Sequence, residues 1–222
     1  MDFAAARRKM VDNQVRPNGV TDRRLIDALL DVPREHYVPA AKAALAYMDG
    51  DLPVAPVAHG KPDRCLIKPM VLARMIQALE LAETDRVLDL ACGTGYSTAV
   101  LARLVTEVVG LEETPALAES AGRLLASAGV ANARVVAGPL EAGWPEAAPY
   151  DAILVNGTVD SVPPALLAQL AEGGRLIAVV ATKVPGEAIL YRSVNREPSG
   201  IPVFDASIPA LPAFAKPPAF VF

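Results

Sequence analysis

The sequence predicts a doubly wound α/β fold: a mostly parallel sheet covered by helices and preceded by a helical N-terminal extension. Two observations predict it. Between residues 70 and 194, short apolar runs alternate with segments of helical periodicity, as β-α-β units require. One of those runs, VLDLACGTGYST at 87–98, ends in a glycine-rich turn that leads straight into a helical pattern. That junction is where such sheets bind ligands.

The elements follow in order, within a single domain. Residues 1–50 are Ala-rich and charged, and Leu25, Ile26, Leu29 and Leu30 share one face of an amphipathic helix. Thr21 or Asp22 is placed to cap that helix and Pro33 to close it. Residues 51–69 form a loop; from Gly50 to Asp63 there are three prolines, two glycines and no periodicity. The core, 70–194, offers DRVLDLA, VTEVVGL, ARVVA, YDAILVN and GGRLIAVVA as strands, with GYSTAVLARL, PALAESAGRLLASAG and VPPALLAQLAEG as helices between them. Residues 195–222 form a tail with six prolines from Pro198 onward. A seven-stranded sheet is expected if the tail's last residues, AFVF, close the edge.

Composition excludes several function classes. Lys and Arg number 21 against 25 Asp and Glu, a formal charge of −4 without long runs of one sign, so no general nucleic-acid binder is expected. No apolar stretch approaches the ~20 residues that span a bilayer. The start, MDFAAARRKMVDNQ, has cations but no apolar run behind them, unlike a secretory signal. With only Cys65 and Cys92 in the chain, a cytoplasmic protein without a disulfide framework is expected. His36 and His59, the only histidines, lack metal-ligand spacing, so no metal is expected; His36 reads as a partly buried packing residue.

The glycine-rich turn carries the chemistry. Gly93 and Gly95 let the backbone turn and approach a ligand without a Cβ clash. Thr98 replaces the third glycine of a dinucleotide fingerprint, which disfavours a pyrophosphate ligand. Asp89, four residues before Gly93, suits a cationic amino group, and Glu112, 17 residues beyond Gly95 at the end of the second strand, suits ribose hydroxyls. This pattern describes a site for S-adenosylmethionine. The alternative is a structural turn whose glycines serve the backbone alone, with Glu112 a solvated acid.

Further blocks narrow the reading. VPREHYVP at 32–39, LP at 52–53, Pro69 followed by VLARMIQALEL, VLDLACGTGYSTAVLA, GWPEAAPYDAILV and LLAQLAEGGRL occur in that order. In this the chain resembles the protein-L-isoaspartate O-methyltransferases, over about residues 10–182. The resemblance implies the Rossmann-like fold of class I methyltransferases and methyl transfer from S-adenosylmethionine to the α-carboxylate of isoaspartyl residues in damaged proteins. S-adenosylhomocysteine is the implied product. It implies Gly93 and Gly95 beside the methionine part, Glu112 on the ribose, Asp89 near the amino group directly or through water, and Leu66 at the methyl end.

Two departures fall in the implied site. The family has Thr-Ile-Ser-x-Pro where this chain has Cys65, Leu66, Ile67, Lys68 and Pro69, so the serine position is Ile67, and the loop before it is longer than the family pattern. A slipped alignment does not restore the hydroxyl, because Ser and Thr are absent between Tyr47 and Thr84. The family's Gly-Asp-Gly after the third strand is Gly138-Pro139-Leu140, leaving Pro139 and Leu140 to border the adenine by apolar contact. Lys68 is the adjacent group that could offset the lost hydroxyl. Asn156 and Thr158, at the end of the fourth strand, are candidate substrate contacts or parts of a turn. Three functions follow: isoaspartyl repair, methylation of a different acceptor, or cofactor binding without turnover.

Overall fold

The computed structural model describes residues 1–55, 57, 58, 61, 62 and 64–215. Its centre is a seven-stranded sheet: β1 (Arg86–Leu90), β2 (Glu107–Glu112), β3 (Ala133–Ala137), β4 (Tyr150–Val159), β5 (Leu170–Val180), β6 (Gly186–Val194) and β7 (Glu197–Ala206). The spatial order is β7-β6-β5-β4-β1-β2-β3. Pairs from β3 through β5 are parallel, and β6 and β7 add antiparallel. The chain leaves β1 for β2 on one side and later returns to place β4 on the other. The switch point therefore lies between the C-terminal ends of β1 and β4, where open α/β sheets bind ligands.

Among the described residues there are six α-helices: α1 (Phe3–Met10), α2 (Arg23–Asp31), α3 (Pro69–Ala78), α4 (Tyr96–Leu101), α5 (Pro115–Ser127) and α6 (Pro164–Leu167). Asp22 caps α2 by accepting from the N–H groups of Arg24 and Leu25. Pro69 and Pro115 open α3 and α5, where a missing N–H costs nothing. The N-terminal helices share one apolar layer with α3, α4 and α5, in which Met10, Leu25, Leu29, Leu72, Val87, Val100 and Leu125 are buried together. Alternation along the strands turns Leu88, Leu90, Leu111 and Ile153 to the opposite layer, with Leu140, Leu166 and Phe214. Arg7 secures the extension from α1, donating to Tyr47 Oη at 2.8 Å and to Glu35 at 3.2 Å.

Three expectations are corrected. The edge strand of the sheet is Glu197–Ala206, inside the stretch expected as a proline-rich tail; the AFVF residues lie outside the described residues. Pro198 and Pro202 sit in β7, where an outermost strand tolerates a missing N–H because only one side is paired. The helix expected over 162–173 is one turn, Pro164–Leu167. Tyr150 N–H donates to Gln169 O at 2.8 Å and draws the chain into the sheet, while Gly173 turns with φ of 75°. His36 is exposed, and the buried members of its turn are Arg34, Glu35 and Tyr37.

Candidate active site

β1 ends in a sharp turn, with left-handed φ at Ala91 (57°), Gly93 (58°) and Gly95 (89°). A Cβ on Gly95 would stand 3.4 Å from Leu125 and 3.5 Å from Ala121, so this glycine also admits α5 against the turn. Asp89 is fully buried. Its Oδ2 accepts from Ser97 Oγ at 2.7 Å and Thr98 Oγ1 at 2.6 Å, and its Oδ1 from Asn156 Nδ2 at 2.6 Å. One carboxylate thus ties the turn after β1 to the end of β4 across the switch point. Burial pushes its pKa up to about 6 against the opposing pull of those three donors.

Glu112, at the end of β2, is also fully buried. Gly93 N–H donates to its Oε2 at 3.0 Å, and Glu113 N–H to its Oε1 at 2.9 Å. The sequence did not single out its strongest partner, Arg64. The guanidinium Nε of Arg64 lies 2.9 Å from Oε1 and 3.1 Å from Oε2, and its Nη2 lies 3.3 Å from Glu113 Oε2. A two-stranded pairing of Leu52–Pro53 with Cys65–Leu66, extended by Val54 N–H to Arg64 O, holds this arginine over the turn.

Beside the turn a cavity of about 10 Å³ is lined by Arg34, Cys65, Leu66, Ile67, Ser97 and Asn156, among others. Arg34, unremarked within VPREHYVP, is completely buried. It donates from Nε to Ala46 O at 2.8 Å and from Nη2 to Ile67 O at 2.9 Å, and stacks over Tyr96 at 4.7 Å. This arginine fixes the backbone of the altered segment. Ile67 is 3 % exposed, and its apolar bulk forms part of the cavity wall. Burial raises the Cys65 thiol to about 11, with Asp51 adding to the shift. Cys65 therefore stays protonated and behaves as a small apolar group.

The remaining candidates have these surroundings. Lys68 occupies the position before α3, where its N–H donates to Asp51 Oδ1 at 2.8 Å. Thr158 donates its hydroxyl to Ile208 O at 2.8 Å and exchanges backbone bonds with Pro209 and Leu211, joining β4 to the C-terminal segment. Leu140 is withdrawn into the core, leaving Pro139 exposed beside Gly138. Among the described residues no cluster could hold a metal ion, and His59 lies outside them.

The profile of the Protein-L-isoaspartate(D-aspartate) O-methyltransferase (PCMT) family matches residues 5–197. The chain belongs to this family. It is 43% identical over 194 residues to the protein-L-isoaspartate O-methyltransferase of Methylorubrum populi, covering 87% of each chain. It is 42% identical over 180 residues to that of Roseiflexus castenholzii, covering 81% of this chain and 79% of the other. A solved protein-L-isoaspartate O-methyltransferase superposes with a TM-score of 0.79 at 28% identity, over 92% of this chain and 65% of that one. A Plasmodium falciparum structure in complex with S-adenosyl-L-homocysteine shares the fold, with a TM-score of 0.74 at 19% identity over 96% and 99% of the two chains. The matched range contains Ile67, Pro69 and the turn after β1.

Proposed function

We propose that this chain transfers a methyl group from S-adenosylmethionine to the α-carboxylate of isoaspartyl residues in proteins, the opening step of their repair. Family membership supports the reaction. The observation that carries the cofactor half is the pair of fully buried carboxylates, Asp89 and Glu112, at the ends of neighbouring strands, with the Gly93 amide on Glu112. These residues fit the cofactor: Glu112 is an acceptor set for ribose hydroxyls, Gly93 a backbone without a Cβ, and Leu66 and Ile67 an apolar wall for the methyl end. Pro139 borders the adenine. Asp89, whose oxygens are taken by Ser97, Thr98 and Asn156, is read as the residue that shapes the turn and acts on the amino group through these neighbours.

S-adenosylmethionine supplies an electrophilic methyl; the acceptor oxygen forms its bond to that carbon as the carbon–sulfur bond breaks, releasing S-adenosylhomocysteine as a neutral thioether. The residues of the chain align and desolvate. A carboxyl group ordinarily ionises near pH ~4 and is already an anion at neutral pH, so no general base is needed. Alignment then supplies most of the acceleration. Ile67 contributes an apolar wall and no donor, so the anionic acceptor receives less stabilisation than a hydroxyl would give, by about 1–3 kcal/mol. That slows the reaction without abolishing it. No described helix is long and apolar enough to cross a membrane, and two free thiols suit a cytoplasmic enzyme.

The deciding experiment measures labelled methyl transfer to an isoaspartyl peptide, with the aspartyl peptide as control and base lability to identify the ester. Base-labile label on the isoaspartyl peptide alone is the expected result. A folded protein that labels neither peptide refutes the assignment and leaves a different acceptor or a binder without turnover.

A further inference from the structure

We propose that Arg64 is an internal competitor for the ribose seat: the cofactor enters only when the guanidinium leaves Glu112, and Glu113 receives it. The inference rests on the reading of Glu112 as the ribose acceptor. An ionised carboxylate offers about four acceptor positions. On Glu112 these are taken by Arg64 Nε, which spans both oxygens at 2.9 and 3.1 Å, by Gly93 N–H at 3.0 Å and by Glu113 N–H at 2.9 Å, with Thr114 N–H a further 3.4 Å contact. The other donors are main-chain groups fixed by the turn and by the end of β2. Arg64 is the one that a side-chain rotation can remove.

The surroundings support displacement. Arg64 and Glu112 have side chains 4% and 0% exposed, so a ribose cannot reach the carboxylate while the pair is closed. The adjoining cavity is about 10 Å³, against the ~300 Å³ or more that a small-molecule site encloses. Val54, on the same paired segment, lies 3.5 Å from where a Gly93 Cβ would stand. Glu113 is already 3.3 Å from Arg64 Nη2 and its side chain is 47% exposed. The guanidinium can therefore shift outward to a second carboxylate without losing its ionic partner. The two positions make a two-state element whose balance sets apparent affinity, because a ligand that binds one state is weakened by the fraction in the other.

The test is S-adenosylhomocysteine binding to the full chain, by calorimetry, for the parent, Arg64→Ala and Arg64→Gln, the last retaining a neutral donor to protect folding. Removing the competitor tightens binding, on the order of tenfold if the closed state is about nine-tenths populated. A purely structural arginine would give the opposite sign. In the parent itself, modification of Arg64 by phenylglyoxal, read by mass spectrometry, rises when the ligand saturates the site. If the parent binds but the folded variants bind no more tightly, or if Arg64 modification does not rise, the competitor role is overturned while the cofactor site stands. If neither parent nor variants bind, the ribose reading fails and the competitor role falls with it.

Discussion

Ile67 and Asp89 show how a single side chain sets what this site can do. Ile67 is buried against the same cavity as Asn156 and Ser97, and its substitution by serine introduces a hydroxyl donor there, at the position that the resemblance assigns to a serine. Ile67→Ser is expected to raise the methylation rate on an isoaspartyl peptide by about tenfold or more, measured per folded protein because removing a buried branched side chain also costs stability. An unchanged rate means that the pocket has been rebuilt around another acceptor. Asp89 makes a prediction about pH. Its pKa is raised from 3.8 to about 6 in the fold, chiefly by burial, so between those values the native state holds the proton more tightly than the unfolded chain. The Asp89 contribution to stability is therefore full below about pH 4 and is lost as pH rises toward 6, by on the order of 3 kcal/mol. Denaturant titrations at pH 4 and pH 6.5 are expected to show parent stability falling relative to Asp89→Asn across this window. A constant difference would mean that Asp89 ionises as it does in the unfolded chain.

Among the elements, α3 matters most to the site, because it follows directly from the altered segment. Its C-terminal end is fastened to the sheet by Arg175 on β5, which donates to Leu79 O at 2.8 Å and Glu80 O at 3.0 Å and pairs with Asp85 at 2.7 Å. Both charged partners are nearly buried, 11% and 8% exposed. Arg175→Ala is expected to cost about 3 kcal/mol, since it leaves Asp85 and three carbonyls, those of Leu79, Glu80 and Asp151, without this donor; a loss below about 0.5 kcal/mol in denaturant unfolding would show that the fastening is redundant. The outer strands teach a different lesson. In β6, Ala188 and Leu190 are buried where they meet β5, yet proline density in the following residues obscured the hairpin in the sequence. Proline argues against a central strand and says little about an outermost one.

At the scale of the molecule, ligand and stability are linked. S-adenosylhomocysteine at 100 times its dissociation constant is expected to stabilise the fold by ~2.7 kcal/mol, raising the melting temperature by roughly 5 to 10 °C for a chain of this size. No shift at saturating ligand would contradict a cofactor site at the end of β1. The N-terminal extension takes part in the same stability, because Met10, Leu25 and Leu29 belong to the layer that also holds Val87 and Val100. Truncating the extension would therefore expose the apolar faces of α3 and α4 on which it packs.

The sequence by itself determined the parallel half of the sheet, the glycine turn and the positions of Asp89 and Glu112. Each of these is written in local periodicity or in the backbone freedom of glycine, which neighbouring residues fix. Tertiary structure alone decided which groups meet. Arg64 reaches Glu112 across 48 positions and Asn156 reaches Asp89 across 67, and no local pattern encodes such pairings. It also gave Thr158 its partners on the C-terminal segment and set the Lys68 N–H on Asp51 at the start of α3. Residue types and spacing state what chemistry is present; only the packing of distant segments states that both carboxylates are held closed, Asp89 by Ser97, Thr98 and Asn156 and Glu112 by Arg64.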